Sequence, residues 1–254
     1  MKRTTLFIVA AIAAVLAAGA MMGCSSQQAS QDDLIAEYKD ALANVPECES
    51  VTVAVEDSAT FPGEDEIVET SVYKFDASGD TLKTSVEADA SGVALKYYTD
   101  GDDAVFVSDG PVYSGTAEQF DLVSAQGFQA FLDDAVGDLN VLADCTTEIE
   151  KMESNCLTAY FLTLDPQKYT ESDEALSMLA EYGTVVQEAT FTVSFDEDGT
   201  IASVDQNITY EDSTKYKGLI FRDYGSTVVD PMPEADKTYE DMEEDMEAKF
   251  NTIE

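Results

Sequence analysis

IVETSVYKFDASGDTLKTSVEADASGVALKYYTDGDDAVFVS, residues 67–108, sets the architecture. Apolar and polar residues alternate with a period of two, the pattern of strands with one buried face. Asp76-Ala77-Ser78-Gly79 and Asp89-Ala90-Ser91-Gly92 lie thirteen residues apart, and Asp100-Gly101 follows. Each reads as a hairpin turn, with glycine taking the positive φ that closes it. The strands between them are Ile67–Phe75, Leu82–Ala88, Val93–Thr99 and Val105–Ser108. Upstream, Val51, Val53 and Val55 alternate with Thr52, Ala54 and Glu56 until Phe61-Pro62-Gly63 breaks the run. Downstream, Gly110-Pro111 turns into Val112-Tyr113. The reading is a meander of four or five antiparallel strands.

Helices flank and interrupt this meander. Ser30, with Asp33 three residues on, opens a helix carrying Leu34, Ile35, Tyr38, Ala41, Leu42 and Val45 at helical spacing, and Pro46 stops it. Ser124 is the expected N-cap of a second helix, with Phe128, Phe131, Leu132, Ala135, Val136 and Leu139 in one apolar stripe. Thr147–Met152 and Leu157–Leu164 read as a hairpin that Asp165-Pro166 ends. Thr170 with Asp173 caps a third helix, with Leu176, Leu179 and Tyr182 inward and Gly183 as its stop. The strongest strand pair follows. Ala189, Phe191, Val193 and Phe195 alternate on one side of Asp196-Glu197-Asp198-Gly199; Val204, Gln206, Ile208 and Tyr210 alternate on the other. Ile201 is out of phase, which places a bulge near Ala202-Ser203. Lys217–Arg222 and Thr227–Val229 are the last strands. The acidic stretch after residue 235 is either a helix with a thin stripe of Met242, Met246 and Phe250, or a solvated arm. Some strands are apolar on both faces, as at Val72-Tyr73 and Ala104–Val107. The fold class is therefore α+β, a curved antiparallel sheet wrapped around two or three helices.

The first residues give an address. Met1-Lys2-Arg3 precedes an apolar run from Leu6 to Met22, and Gly23-Cys24-Ser25-Ser26 follows. A basic start, an apolar run and a small residue before the cut are the parts of an export leader. Met21-Met22-Gly23-Cys24 resembles a bacterial lipobox, with Met21 where leucine is usual. The resemblance implies removal of residues 1–23, acyl chains on Cys24 and an anchor on the extracytoplasmic face of a membrane. An uncleaved helical anchor is the alternative. Residues 24–30 are then the whole tether, residues 31–235 the domain and residues 236–254 an acidic tail.

Composition narrows the chemistry. The full chain carries 13 basic and 52 acidic residues; removing residues 1–23 takes away Lys2 and Arg3 and leaves −41. Such a chain has no basic patch for nucleic acid, and an anionic membrane surface repels it, so lipid must do the anchoring. There is no histidine and no tryptophan. Histidine's absence removes the commonest general base and the usual zinc ligand. Cys48, Cys145 and Cys156 remain once Cys24 is acylated, an odd number in an oxidising compartment. One disulfide among these three is expected, with the pairing open. The acidic turns at Asp100–Asp103 and Asp196–Gly199 offer hard oxygen ligands, but neither fits an EF-hand loop, and both read as turns without metal. Paired carboxylates are expected by chance in so acidic a chain. With no nucleophile elbow, P-loop or dinucleotide fingerprint, no enzyme and no cofactor are expected.

Phe221-Arg222-Asp223-Tyr224-Gly225-Ser226-Thr227 leads through Val228-Val229-Asp230 to Pro231-Met232-Pro233. This stretch, together with the order of elements over residues 31–235, resembles the LolA-like half-barrel of bacterial lipoprotein carriers and of the LprG/LppX lipoproteins. The resemblance implies an open half-barrel plugged by helices around a pocket for acyl chains, and brings no catalytic residues. Phe106, Phe128, Phe131, Phe191, Val193, Ile208 and Phe221 are the candidate pocket residues, each also explicable as core. Two functions from different classes follow. One is a membrane-tethered, non-catalytic binder of a lipid or lipopeptide. The other is an acidic envelope module that binds a protein or divalent cations and has no small-molecule pocket.

Overall fold

The period-two stretches fold into one sheet. The computed structural model describes residues 29–90, 93–107, 110–154, 156–181 and 184–250. The leader, Cys24, Tyr182 and Gly183 lie outside the described residues. Strands β1 (Ser50–Thr60), β2 (Ile67–Asp76), β3 (Lys83–Ala90), β4 (Val93–Asp100), β5 (Asp103–Val107) and β6 (Val112–Thr116) form a meander. Each pairs antiparallel with the next. Strands β7 (Thr146–Ser154), β8 (Leu157–Leu164), β9 (Val186–Asp196), β10 (Ile201–Tyr210) and β11 (Thr214–Arg222) form a second meander. β11 pairs with β1 and joins the two. A two-residue strand β12 (Lys237–Thr238) adds parallel to β6. The strand order is β12-β6-β5-β4-β3-β2-β1-β11-β10-β9-β8-β7, so the curved sheet is unclosed.

Glycine closes two of the turns from the left-handed region, Gly101 at φ 60° and Gly199 at φ 79°. The expected bulge is present: Ile201 faces Phe195, but Ser203 faces Ser194. The extra residue returns Val204 to the inner face, where it is fully buried against Val193. Along β1 the inner face carries Val51 and Val53, and the outer face carries Ser50 and Thr52.

Among the described residues, five helices lie between β-segments or before them: α1 (Gln31–Ala43), α2 (Phe128–Val136), α3 (Leu139–Cys145), α4 (Pro166–Ser172) and α5 (Glu174–Glu181). A sixth, α6 (Tyr239–Phe250), follows β12. α1 runs beside the edge strand β7. The Gln31 side-chain amide donates to the Ile149 carbonyl at 3.0 Å and accepts from the Ile149 N–H at 2.6 Å. One side chain thus copies a strand residue and blocks part of an otherwise open edge. Tyr38 is fully buried and its hydroxyl donates to the Leu139 carbonyl at 3.1 Å, tying α1 to α3.

Several expectations are corrected. The second helical stretch is two helices, because Gly127 (φ 114°) and Gly137 (φ 78°) interrupt the helical path. Ser124 lies inside a 3₁₀ turn (Val123–Gln126) and caps nothing; Asp138 caps α3 through the Asn140 N–H. Asp165-Pro166 does not merely end β8. Asp165 accepts from the N–H groups of Gln167 and Lys168, and Pro166 takes the first helical position, where its missing N–H costs nothing. Thr170 therefore lies within α4, and Asp173 caps α5 through the Leu176 N–H at 2.9 Å. Leu176 is buried as expected, but Leu179 is exposed.

Residues 227–229 are not a strand. Thr227 is pinned across the outer face of β1: its N–H donates to Ser50 Oγ at 3.1 Å, and its hydroxyl lies 2.8 Å from that of Thr52. From there the chain passes Lys74 of β2, which pairs with Asp230 at 3.7 Å, and reaches β6, where the Asp236 N–H donates to the Val112 carbonyl. Beyond β12, Tyr239 packs on Phe120 over the inner face. Of the two readings of the tail, the helix is the one formed, and Met246 on it is exposed.

The expected disulfide is also absent. Cys48, Cys145 and Cys156 are free. Cys145 stands at the start of β7 and Cys156 just beyond its end, so nine residues of strand, about 30 Å, separate them. A bridge needs Cα atoms within about 7 Å. The buried Cys145 thiol instead lies 3.7 Å from Ser172 Oγ, while Cys48 packs at the margin of the core.

Candidate ligand-binding face

The inner face carries two groups of apolar side chains. The larger lies beneath α1 to α5 and holds Phe131, Phe191, Val193, Ile208 and Phe221, all at most 6% exposed. Phe128 is half-buried against it, edge-on to Phe75 and to Phe221, each at 5.8 Å between ring centres. Phe191 meets Tyr169 at 5.7 Å. These six of the seven candidate residues stand in one packed body. Neither of the two best-formed surface hollows, about 270 and 320 Å³, is lined by any of them.

Phe106 belongs elsewhere. The registers from β2 to β6 set Tyr73, Val86, Tyr97, Phe106 and Tyr113 in one row across the inner face. Tyr97 and Phe106 stack at 4.8 Å, and Phe106 and Tyr113 at 6.3 Å. At the inner end of the row α2 covers Tyr73 through Phe131, at 4.4 Å. At the outer end Phe120 lies over Tyr97 and Phe106, at 6.2 and 6.3 Å, and Tyr239 of α6 backs it at 5.2 Å. Between these covers Tyr73, Tyr97 and Phe106 are half-buried, as are Ala88 and Leu95 one row along. The row is thus an aromatic surface that is covered in part and not enclosed.

Its electrostatics are those of a contact surface. Burial pushes the Tyr97 phenol above its ordinary value. Burial does the same to Tyr73, opposed by a hydrogen bond with Ser71 and reinforced by the charges of Asp134 and Asp57. Both hydroxyls therefore stay protonated at neutral pH and supply polar tips rather than bases. The Tyr113 hydroxyl, also shifted upward by burial and then by its partner, donates to Asp245 Oδ2 at 2.8 Å. Lys237 binds the same oxygen at 2.5 Å, which holds α6 at the rim.

The hollows have mixed polar and apolar linings. One is walled by Asp102, Glu118 and Asp121. The other contains Lys151, which pairs with Glu37 and with Glu153 and lies 5.8 Å from the Tyr160 ring centre. Among the described residues no three acids or thiols are placed to hold a metal ion, and no helix is long and apolar enough to cross a membrane.

No protein-family model and no curated protein matches the chain. Among solved structures it is similar to the lipoprotein LppX of Mycobacterium tuberculosis, at 16% identity and TM-score 0.45, over 79% of this chain and 99% of that one. It is similar to LprF of Mycobacterium bovis at 12% identity and TM-score 0.45, over 81% of this chain and 97% of that one. A LolA-superfamily protein of Nitrosomonas europaea matches at 12% identity and TM-score 0.27, over 81% and 96% of the two chains.

Sequence reading named Phe106 as a candidate but none of the residues stacked around it. Tyr97 and Tyr98 are adjacent, so only the register settles which faces inward. That register was readable in the spacing of the Asp-Gly turns. Phe120 and Tyr239 carried no periodic signal, because one lies in a turn after β6 and the other is the first residue of α6.

Proposed function

We propose that this chain is a membrane-tethered extracytoplasmic lipoprotein, acylated on Cys24, whose domain binds an amphiphile without catalysis. The observation that carries the reading is the half-buried aromatic row of Tyr73, Tyr97 and Phe106, in which the two tyrosines add protonated hydroxyl tips. A single acyl chain fits such a floor, and phenol tips and surrounding backbone suit a polar head. The filled body beneath α1 to α5 speaks against the expected deep pocket and in favour of the aromatic row as the contact surface. The test is lipid extraction and mass spectrometry of the purified unlipidated domain, followed by titration with a fluorescent fatty acid. Saturable uptake, reduced about tenfold in a Tyr97→Ala/Phe106→Ala double variant, is expected. Clean protein that takes up no added fatty acid would count decisively against it.

A second reading rests on the hollow walled by Asp102, Glu118 and Asp121. There the domain is an acidic envelope module for a basic protein partner. A pull-down from envelope extracts separates the two, since no salt-sensitive capture of a basic protein alongside saturable fatty-acid uptake removes this second reading.

A further inference from the structure

The cover over Phe106 is backed from the tail. The registers set Thr99, Ala104 and Gly115 in the row beside Tyr97, Phe106 and Tyr113. A Cβ at 115 would stand 3.0 Å from Phe120 Cε2 and from Gln119 Oε1, and 3.1 Å from Tyr239 Cβ. The bare backbone of β6 is therefore what lets the Phe120 and Tyr239 rings close edge-on over it. Phe120 belongs to a turn with its own ties. The N–H groups of Thr116 and Gln119 each donate to the other's side chain, and the Ala117 N–H donates to the Asp102 carbonyl at 3.0 Å. Tyr239 comes from far along the chain and depends on what holds β12 and α6.

Those attachments are short and exposed. β12 is two residues long. The Asp236 N–H donates to the Val112 carbonyl at 2.8 Å, and the Ser114 hydroxyl donates to the Lys237 carbonyl at 3.2 Å. Asp245 Oδ2 gathers the Tyr113 hydroxyl and the Lys237 ammonium. No residue from Lys237 to Glu247 is buried. α6 opens with a reciprocal cap, in which the N–H groups of Thr238 and Asp241 each donate to the other's side chain, so its first turn forms without help from the sheet. Glu240 and Glu244, Asp241 and Asp245, and Glu243 and Glu247 stand four apart and repel along the helix. A segment with little buried apolar area and exposed hydrogen bonds opens at a cost well below that of unfolding the whole domain.

The row beneath is closed by its own side chains. Phe106 lies between Tyr97 and Tyr113 with Phe120 over it. An acyl chain laid on Tyr97 and Phe106 has to move Phe120, and Tyr239 stands behind that ring. We infer that β12 and α6 form a strap that competes with the amphiphile for this row, an inference that rests on the binding proposed there. Ligand binding then undocks the strap, and undocking strengthens binding by the same factor, because coupling between two equilibria is reciprocal.

Gln31–Glu254 is a compact unit by itself, so the test uses unlipidated protein carrying that whole unit. Asp245→Ala removes the carboxylate that holds Tyr113 and Lys237. Gly115→Ala wedges the two rings apart, and the backbone at 115 is not left-handed, so alanine strains nothing but the side chains above it. Both variants should bind a fluorescent fatty acid about tenfold tighter than the unaltered protein. Glu244→Ala removes an exposed charge from the same helix and should leave the affinity unchanged. In hydrogen exchange, the amides of residues 237–247 should exchange faster than those of β5 and β6, and faster again with saturating fatty acid. Saturable uptake with equal affinity in all four proteins, or slower exchange of the strap when fatty acid is added, overturns the inference and leaves the binding site standing. Tightening by Glu244→Ala as large as that by Asp245→Ala assigns the effect to charge and overturns it too. No uptake by any of the four removes the proposed binding and the inference with it.

Discussion

The two halves of the inner face are covered by different means. Over β1 and β8 to β11, helices α1 to α5 fill the space, and Val53, Val193, Val204 and Leu219 are fully buried. Over β3 to β6 the cover is Phe120, the 3₁₀ turn and the first turn of α6, and Tyr97 and Phe106 stay half-exposed. Chain order explains the difference. The helices of residues 128–145 and 166–181 are inserted before β7 and between β8 and β9, so they fall on that half. The distant half receives only the short segment after β6, with Phe120 and the 3₁₀ turn, and what the tail brings round the β6 edge. One half is thus a conventional core, and the other is a sheet surface under a thinner cover.

The largest expected effect tests the filled half. Phe191 is 1% exposed and meets Tyr169 edge-on. Phe191→Ala should lose about 3–5 kcal/mol in urea unfolding, the range for a large ring removed from a rigid core. Phe106 is half-buried, between Tyr97 and Tyr113 and beneath Phe120. Phe106→Ala should cost about 1–2 kcal/mol, since less area returns to water. Fatty-acid affinity should respond in the opposite order, falling with Phe106→Ala and holding in folded Phe191→Ala. Equal destabilisation by both variants would mean that the halves are one core, and the comparison would fail.

How much of this was legible beforehand follows from the kind of signal each element carries. The β-meander was readable because period-two alternation and Asp-Gly turns are local. Even the irregularity at Ile201 showed as a phase error in the sequence. The helices of residues 123–181 were found but miscounted. Gly127, Gly137 and Asp165-Pro166 act as both stops and starts, and the apolar stripe of Phe128 to Leu139 continues across the break. The seven candidate residues were chosen by apolar type alone, which cannot separate a filled core from an open floor. That distinction depends on which segment lies overhead. The covering residues, Phe120 and Tyr239, are separated by more than a hundred residues of chain and meet only in three dimensions.

The outer face of the filled half gives a smaller test. Asp205 of β10 lies opposite Gly218 of β11. The Tyr216 side chain folds over that glycine, and its hydroxyl donates to Asp205 Oδ1 at 2.8 Å. A Cβ at 218 would come within 2.9 Å of Tyr216 Cζ, so the glycine is what lets the ring lie there. Burial raises the Asp205 carboxyl above its ordinary value, and the Tyr216 hydrogen bond opposes the rise without cancelling it. A carboxyl raised in the fold binds its proton more tightly folded than unfolded. Its contribution is fully present below the unfolded value of about 3.9 and is lost as pH rises through the folded one. At neutral pH the fold therefore carries a partly desolvated carboxylate. Asp205→Asn keeps an acceptor for Tyr216 and removes the charge, so it should stabilise by about 1 kcal/mol at pH 7, a rise of about 2–4 °C in Tm. The gain should shrink toward zero on acidification to about pH 3. A gain that stays constant with pH would mean that shape, not charge, limits this face, and that the filled half is as relaxed outside as it is inside.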